Sequence, residues 1–298
     1  MPAPGKKTIV TAALILLITF AASLASGPAL FSSYIEQKLI AAANSGTLSV
    51  SPRGVIIGAA AVKVNSLRLF YAPFMTGLDL QELQISPSWR HLRGLALPLE
   101  VSAAAYEGSL KGRLSLPLSG KQINGELSLR DLDLSQHPQL QGLGVASGRL
   151  SLDWRQGTWR GKEPPTGNLG LELTGFSIPR AATYSLPRGG QSILVPRIMD
   201  LNLSLSGELK DRSLSLTRLH SASQFGEVRG SGTLDYLPGG KASFDLAFKV
   251  KPTTEGQALI ALLKSQLPDG GAYGPTPGGS WLITLRGSQP PRMEIVPE

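Results

Sequence analysis

The chain has 298 residues, 42% of them hydrophobic, with 34 Gly, 22 Pro, no Cys and a net charge of +8. Absence of cysteine excludes disulfides, thiolate catalysis and cysteine-based metal sites. The abundance of Gly and Pro beside ample Leu, Ile, Val and Ala suits a strand-and-turn protein and not a disordered one. The cations are scattered, and the longest basic run is Lys6-Lys7. A nucleic-acid binder concentrates its cations on one face or in a tract, so that class is disfavoured and no nucleic-acid partner is expected.

Residues 8–31, "TIVTAALILLITFAASLASGPALF", contain no charge. About twenty apolar residues rising roughly 1.5 Å each cross a hydrocarbon core of about 30 Å. Lys6 and Lys7 precede the run and no acidic residue does. That is the positive-inside arrangement. It predicts a cytoplasmic stub over 1–7, a transmembrane anchor over 8–31 and a periplasmic β-rich domain over 32–298, in a bacterial inner-membrane protein. A cleaved signal peptide is the competing reading, with Ser23 and Ala25 as the small residues before the cut. The apolar run continues through Ala29, Leu30 and Phe31, which favours the anchor.

Beyond the anchor, residues 32–45 have helical spacing, with Tyr34, Ile35, Leu39, Ala42 and Ala43 on one face and Asn44-Ser45-Gly46 as a stop. From residue 47 to 251 the dominant signal is period two, the mark of strands with one apolar and one polar face. It is clearest at 99–101, 113–118, 125–129, 148–154, 169–173, 201–207, 213–216 and 243–250. Turn residues separate these runs at Gly120-Lys121, Gly157, Pro164-Pro165, Gly189-Gly190 and Pro238-Gly239-Gly240. Residues 253–267 read as a helix, with Thr254 and Gln257 at capping-box spacing and a stripe of Leu259, Leu262, Leu263 and Leu267. A glycine-rich loop over 268–279 and a final strand over 280–287 follow. The whole is predicted to be mainly β: a long, curved antiparallel meander, open and grooved, with one or two short helices. Its apolar face is expected to carry Leu114, Leu116, Leu127, Leu129, Leu171, Leu203, Phe244 and Phe248.

One stretch, "GRLSLPLSGKQINGELSLRDLDLS" over 112–135, carries a phase slip. It reads as a hairpin around 119–124, with Leu114, Leu116 and Leu118 facing Leu127 and Leu129. Leu132 and Leu134 then fall on the opposite parity, so a regular strand would throw them to the wrong face. A bulge or bend there would restore the face, so an irregularity is expected at Arg130-Asp131.

Chemistry-bearing motifs are missing. The sequence has no phosphate loop, nucleophile elbow, Ser-x-x-Lys pair or His-Glu-x-x-His helix. Gly142–Gly148, "GLGVASG", has the wrong spacing for a dinucleotide loop and no βαβ setting. His91, His137 and His220 lack neighbours at metal-ligand spacing. Asp131 and Asp133 read as a solvated strand face, and Trp154 and Trp159 as a pair stacked across a hairpin. No catalytic residue, cofactor or metal site is expected.

The order of these elements resembles the type II secretion system protein N family (GspN) of the general secretion pathway. The resemblance rests on the anchor and amphipathic helix, then "LRLFYAPFMTGLDLQELQISPSWRHLRG", "YEGSLKGRLSLPLSG", "INGELSLRDLDLS", "GVASGRLSLDW" and "GNLGLELTGFSI". "LNLSLSGELKDRSLSLTRLHSASQFGEVRGSGTLDY", "FKVKP" and "WLITLRGSQPPR" complete it. It implies a non-catalytic, single-pass inner-membrane protein whose partners are other secretion-system proteins. The leucine-strand texture is shared with AsmA-like envelope proteins, which implies the alternative of a sheet groove that binds or shuttles lipid.

Overall fold

A computed structural model describes residues 48–58, 61–71, 76–88, 96–117, 122–160, 165–185, 192–237, 241–265, 279–288 and 292–297. The expected anchor (8–31), the helix over 32–45, Leu118 and nearly all of the 268–279 loop lie outside the described residues. Among the described residues no helix is long and apolar enough to cross a membrane.

The architecture is mainly β, as the period-two runs predict. The strands are β1 (Leu48–Ile57), β2 (Val62–Tyr71), β3 (Thr76–Pro87), β4 (Ala96–Ala105), β5 (Gly108–Pro117), β6 (Ile123–Asp133), β7 (Ser147–Trp159) and β8 (Thr166–Ile178). After them come β9 (Ala182–Ser185), β10 (Ser192–Val195), β11 (Ile198–Lys210), β12 (Ser213–Ser223), β13 (Gly226–Leu237), β14 (Lys241–Pro252), β15 (Trp281–Ser288) and β16 (Arg292–Pro297). Fourteen of them form one open sheet in the order β1 to β8, then β11 to β16, so chain neighbours are sheet neighbours. Every register resolved in it is antiparallel. The short β9–β10 hairpin is a separate two-stranded sheet, inserted where β8 turns to β11.

Two helices complete the described fold: α1 (Pro138–Gly142), after a 3-10 turn at Leu134–Gln136, and α2 (Thr254–Ser265). The strand Arg292–Pro297 follows the one expected to be last. Its alternation is only six residues long, and the Pro290-Pro291 pair before it reads as a terminal loop. The cap of α2 also differs from expectation. Thr253, not Thr254, stands at the N-cap, accepting from Gly256 N–H through its hydroxyl at 3.2 Å. Its own N–H donates to Phe225 O at 3.1 Å, which ties the helix start to the β12–β13 turn.

The chain divides into two compact units, one of residues up to Leu132 with Trp154–Pro165, the other of Asp133–Asp153 with Thr166–Glu298. In the first, the buried apolar side chains include Val55, Val64, Leu83, Ala103 and Leu132. In the second they include Ile178, Leu216, Leu246, Ile260, Trp281 and Ile295.

Candidate functional site

The irregularity expected at Arg130-Asp131 is present as a positive φ, and it is one of a set. Asp131 has φ 54°, Arg130 pairs with Ser109, and Leu132 returns to burial at 3% exposure. Positive φ recurs within strands at Gly54, Glu82, Gln156, Gly175 and Asp200. At several of them the apolar residues change parity: Leu80 to Leu83 around Glu82, Leu173 to Phe176 around Gly175, Ile198 to Leu201 around Asp200. β12 shifts register between Leu216 and Leu219 and does the same. An extra residue in one strand points two successive side chains the same way, so each slip in the sequence keeps the leucines on one face.

The result is apolar rows running across the strands. In the first unit, Val62, Ile85, Val101, Gly112 and Leu127 are successive partners from β2 to β6. In the second, Leu171, Leu205, Leu219, Gly230, Phe248, Ile283 and Ile295 are successive partners through β8 and β11–β16. A parallel row runs Leu169, Gly207, Leu216, Gly232, Leu246, Leu285 and Met293. Seven strands about 4.8 Å apart make such a row roughly 29 Å long. Glycines on several strands receive large neighbours: Leu127 lies over Gly112, Leu114 over Gly125, Phe248 over Gly230 and Phe176 over Gly148. These side chains lie along the sheet instead of standing up from it.

The eight residues expected on the apolar face are each only partly buried. Leu114, Leu116, Leu127 and Leu129 belong to the first unit; Leu171, Leu203, Phe244 and Phe248 belong to the second. The facing pairs differ from expectation. Leu114 stands opposite Gly125, Gly112 opposite Leu127, and Leu110 opposite Leu129, two residues away from a leucine-on-leucine match. In the second unit α2 covers one end of the face: Ile260 packs with Trp281 and Ile295, and Val250 and Ile283 lie against them.

Trp154 and Trp159 do not stack across a hairpin. Both lie on β7 with Gln156, at φ 52°, between them, and the turn expected at Gly157 is a buried strand position under the Trp154 indole. Asp133 caps the 3-10 turn by accepting from Ser135 N–H at 2.9 Å.

The other face is polar and laced with cross-strand pairs. Arg68 Nε meets Asp79 Oδ1 at 2.6 Å and Arg286 Nε meets Asp245 Oδ1 at 3.4 Å. Where β4 ends beside β3, the Tyr106 hydroxyl accepts from Asp79 N–H at 3.2 Å, and burial pushes its ionisation up. On β12–β13, His220 Nε2 lies 2.9 Å from Glu227 Oε1, which also accepts from Arg229 Nε at 2.8 Å and Nη2 at 2.6 Å. The Arg229 guanidinium first, and His220 second, hold the Glu227 carboxyl below the usual carboxylate range. This cluster escaped the sequence reading. Residues at i and i+7 across a two-residue turn meet only once the register is known.

Among the described residues no group of three acidic or histidine side chains comes together that could hold a metal ion. No family model, curated protein or solved structure matches this chain.

Proposed function

We propose that this chain is a non-enzymatic inner-membrane component of the type II (general) secretion pathway, whose periplasmic β domain makes partner contacts in protein export. The ordered resemblance to the GspN family supports it, and the quoted stretches fall on successive strands of one sheet. The observation that carries it is the open strand order, which leaves β1 and β16 as the end strands among the described residues. An end strand can take a partner's strand into the sheet, with main-chain hydrogen bonds giving affinity. A clean deletion should lower outer-membrane secretion or secretin assembly while envelope lipids stay normal. Normal secretion in that strain would sink the reading.

A second reading follows from the apolar rows. A leucine-lined sheet that curves into a half-closed groove, as in an AsmA-like lipid carrier, would shield acyl chains, each buried CH₂ contributing about 0.8 kcal/mol. The partly exposed Leu203, Phe244 and Phe248 favour it. Native mass spectrometry of the detergent-free domain should then show copurified lipid, lost in Phe248→Glu. A consistently empty protein argues against it.

A further inference from the structure

We infer that β16 is the edge that takes the partner's strand, and that this strand reads apolar, basic, apolar, acidic from its N- to its C-terminal end. The inference rests on the secretion reading and names the chemistry of the partner at its docking edge. The two end strands of the described sheet differ. β1 carries Pro52 opposite Leu67, and a proline in an edge strand turns its donor-less nitrogen away from the ladder. A newcomer on β1 would therefore miss a donor near the middle of the strand. Gly54 follows at φ 67°, outside extended backbone, and Arg53 between them is exposed. Proline, charge and a local twist are the devices that blunt an edge. In β16, residues 292–296 contain no proline and none of them is at positive φ.

The side chains of β16 select the partner. Ile295 stands opposite Ile283 and Met293 opposite Leu285, so the two apolar rows of the second unit end on them. Ile295 is buried, whereas Met293 is 38% exposed. Arg292 and Glu294 alternate with these residues and are exposed. Across the ladder Arg292 meets Arg286 and Glu294 meets Thr284, so neither faces an opposite charge in register. Arg286 is itself drawn to Asp245 on β14, at 3.4 Å. A strand added antiparallel to β16 continues the rows with one apolar residue opposite Ile295 and another opposite Met293. Between them a Lys or Arg meets Glu294, and an Asp or Glu after them meets Arg292. Opposite charges directly across a ladder stabilise it and like charges destabilise it. The two residues that recruit this pattern therefore reject its charge-reversed form. Main-chain hydrogen bonds supply the rest of the affinity.

The test is binding of two fluorescein-labelled peptides, Thr-Val-Lys-Val-Glu-Thr and Thr-Val-Glu-Val-Lys-Thr, to the full chain. They share composition and net charge, so only the order of the charges differs. The first should bind about three- to thirtyfold more tightly, from two cross-strand charge pairs made or opposed. In the double variant Arg292→Glu, Glu294→Arg, which keeps the net charge of the chain, the preference should reverse. Amides of β16 turned away from β15 should exchange fast in the free chain and slow on binding, with β1 unchanged. Equal binding of the two peptides, a preference that the double variant does not move, or protection that falls on β1 overturns the inference. Dimerisation of the native chain that is lost in Arg292→Glu also overturns it, in favour of a second copy, since Arg292-Met293-Glu294 is its own antiparallel complement. If deletion blocks secretion but the double variant restores it fully, the secretion reading stands and β16 is removed from it.

Discussion

Leu114 lies across the α-carbon of Gly125 on the next strand: a Cβ added there would stand 2.6 Å from Leu114 Cδ2 and 2.6 Å from Arg113 O. One of those neighbours is a flexible side-chain end, but the other is main chain of the paired strand and cannot move alone. Gly125→Ala should therefore destabilise by about 1–3 kcal/mol. Its urea midpoint is the measure, and an unchanged midpoint would show that the two strands are not held this closely.

The irregularity at Asp131 places a residue with a side chain at φ 54°. Left-handed backbone costs a residue with a Cβ roughly 1–2 kcal/mol, and Asp tolerates it better than a β-branched residue. Asp131→Gly should leave stability within about 1 kcal/mol, while Asp131→Val should cost about 1–2 kcal/mol more than Gly does. Thermal melts that rank Val equal to Gly would show that the slip is absorbed elsewhere.

Ile260 is a buried residue of α2, packed against Trp281 and Ile295. Truncation leaves a cavity, so Ile260→Ala should cost about 2–5 kcal/mol. Because the helix covers one end of the sheet, the loss should be local. Amide exchange should quicken over 254–265 and at Trp281, with β3–β5 unaffected. Uniform acceleration across both regions would contradict this.

Glu227 supplies a pH signature of known sign. Its folded-state ionisation lies below the unfolded value, through Arg229 and then His220. The stabilisation is thus present above the ordinary carboxylate range and disappears as pH falls through the lowered folded value. The difference in urea midpoint between the native chain and Glu227→Gln should shrink on acidification and with added salt. A difference that grew below the carboxylate range would reverse the assignment.

Much of the sheet was legible because alternation is set by the pleat: one face must avoid water, and leucine parity records which. The slip between Leu129 and Leu132 announced the Asp131 irregularity for the same reason. Register was not legible. Nothing in "GRLSLPLSG" or "INGELSL" distinguishes Leu114 opposite Leu127 from Leu114 opposite Gly125, since both keep the leucines on one face. Gly157 resembled a turn because glycine serves both tight turns and close approach; only the Trp154 indole above it tells which. Thr253 became the cap of α2 through a carbonyl some thirty residues upstream, which local spacing cannot see.

Because sheet neighbours are chain neighbours throughout, save for the step from β8 to β11, each new strand finds its partner already in place as the polypeptide lengthens from its N-terminus. Pairing can advance as a zipper wherever the connection is short, with little entropy to pay at such a step. The β9–β10 excursion is one pause, since β11 must wait for it before meeting β8, and the stretch carrying α2 between β14 and β15 is another. Such a chain can become ordered in the same direction and at the same pace as it is made.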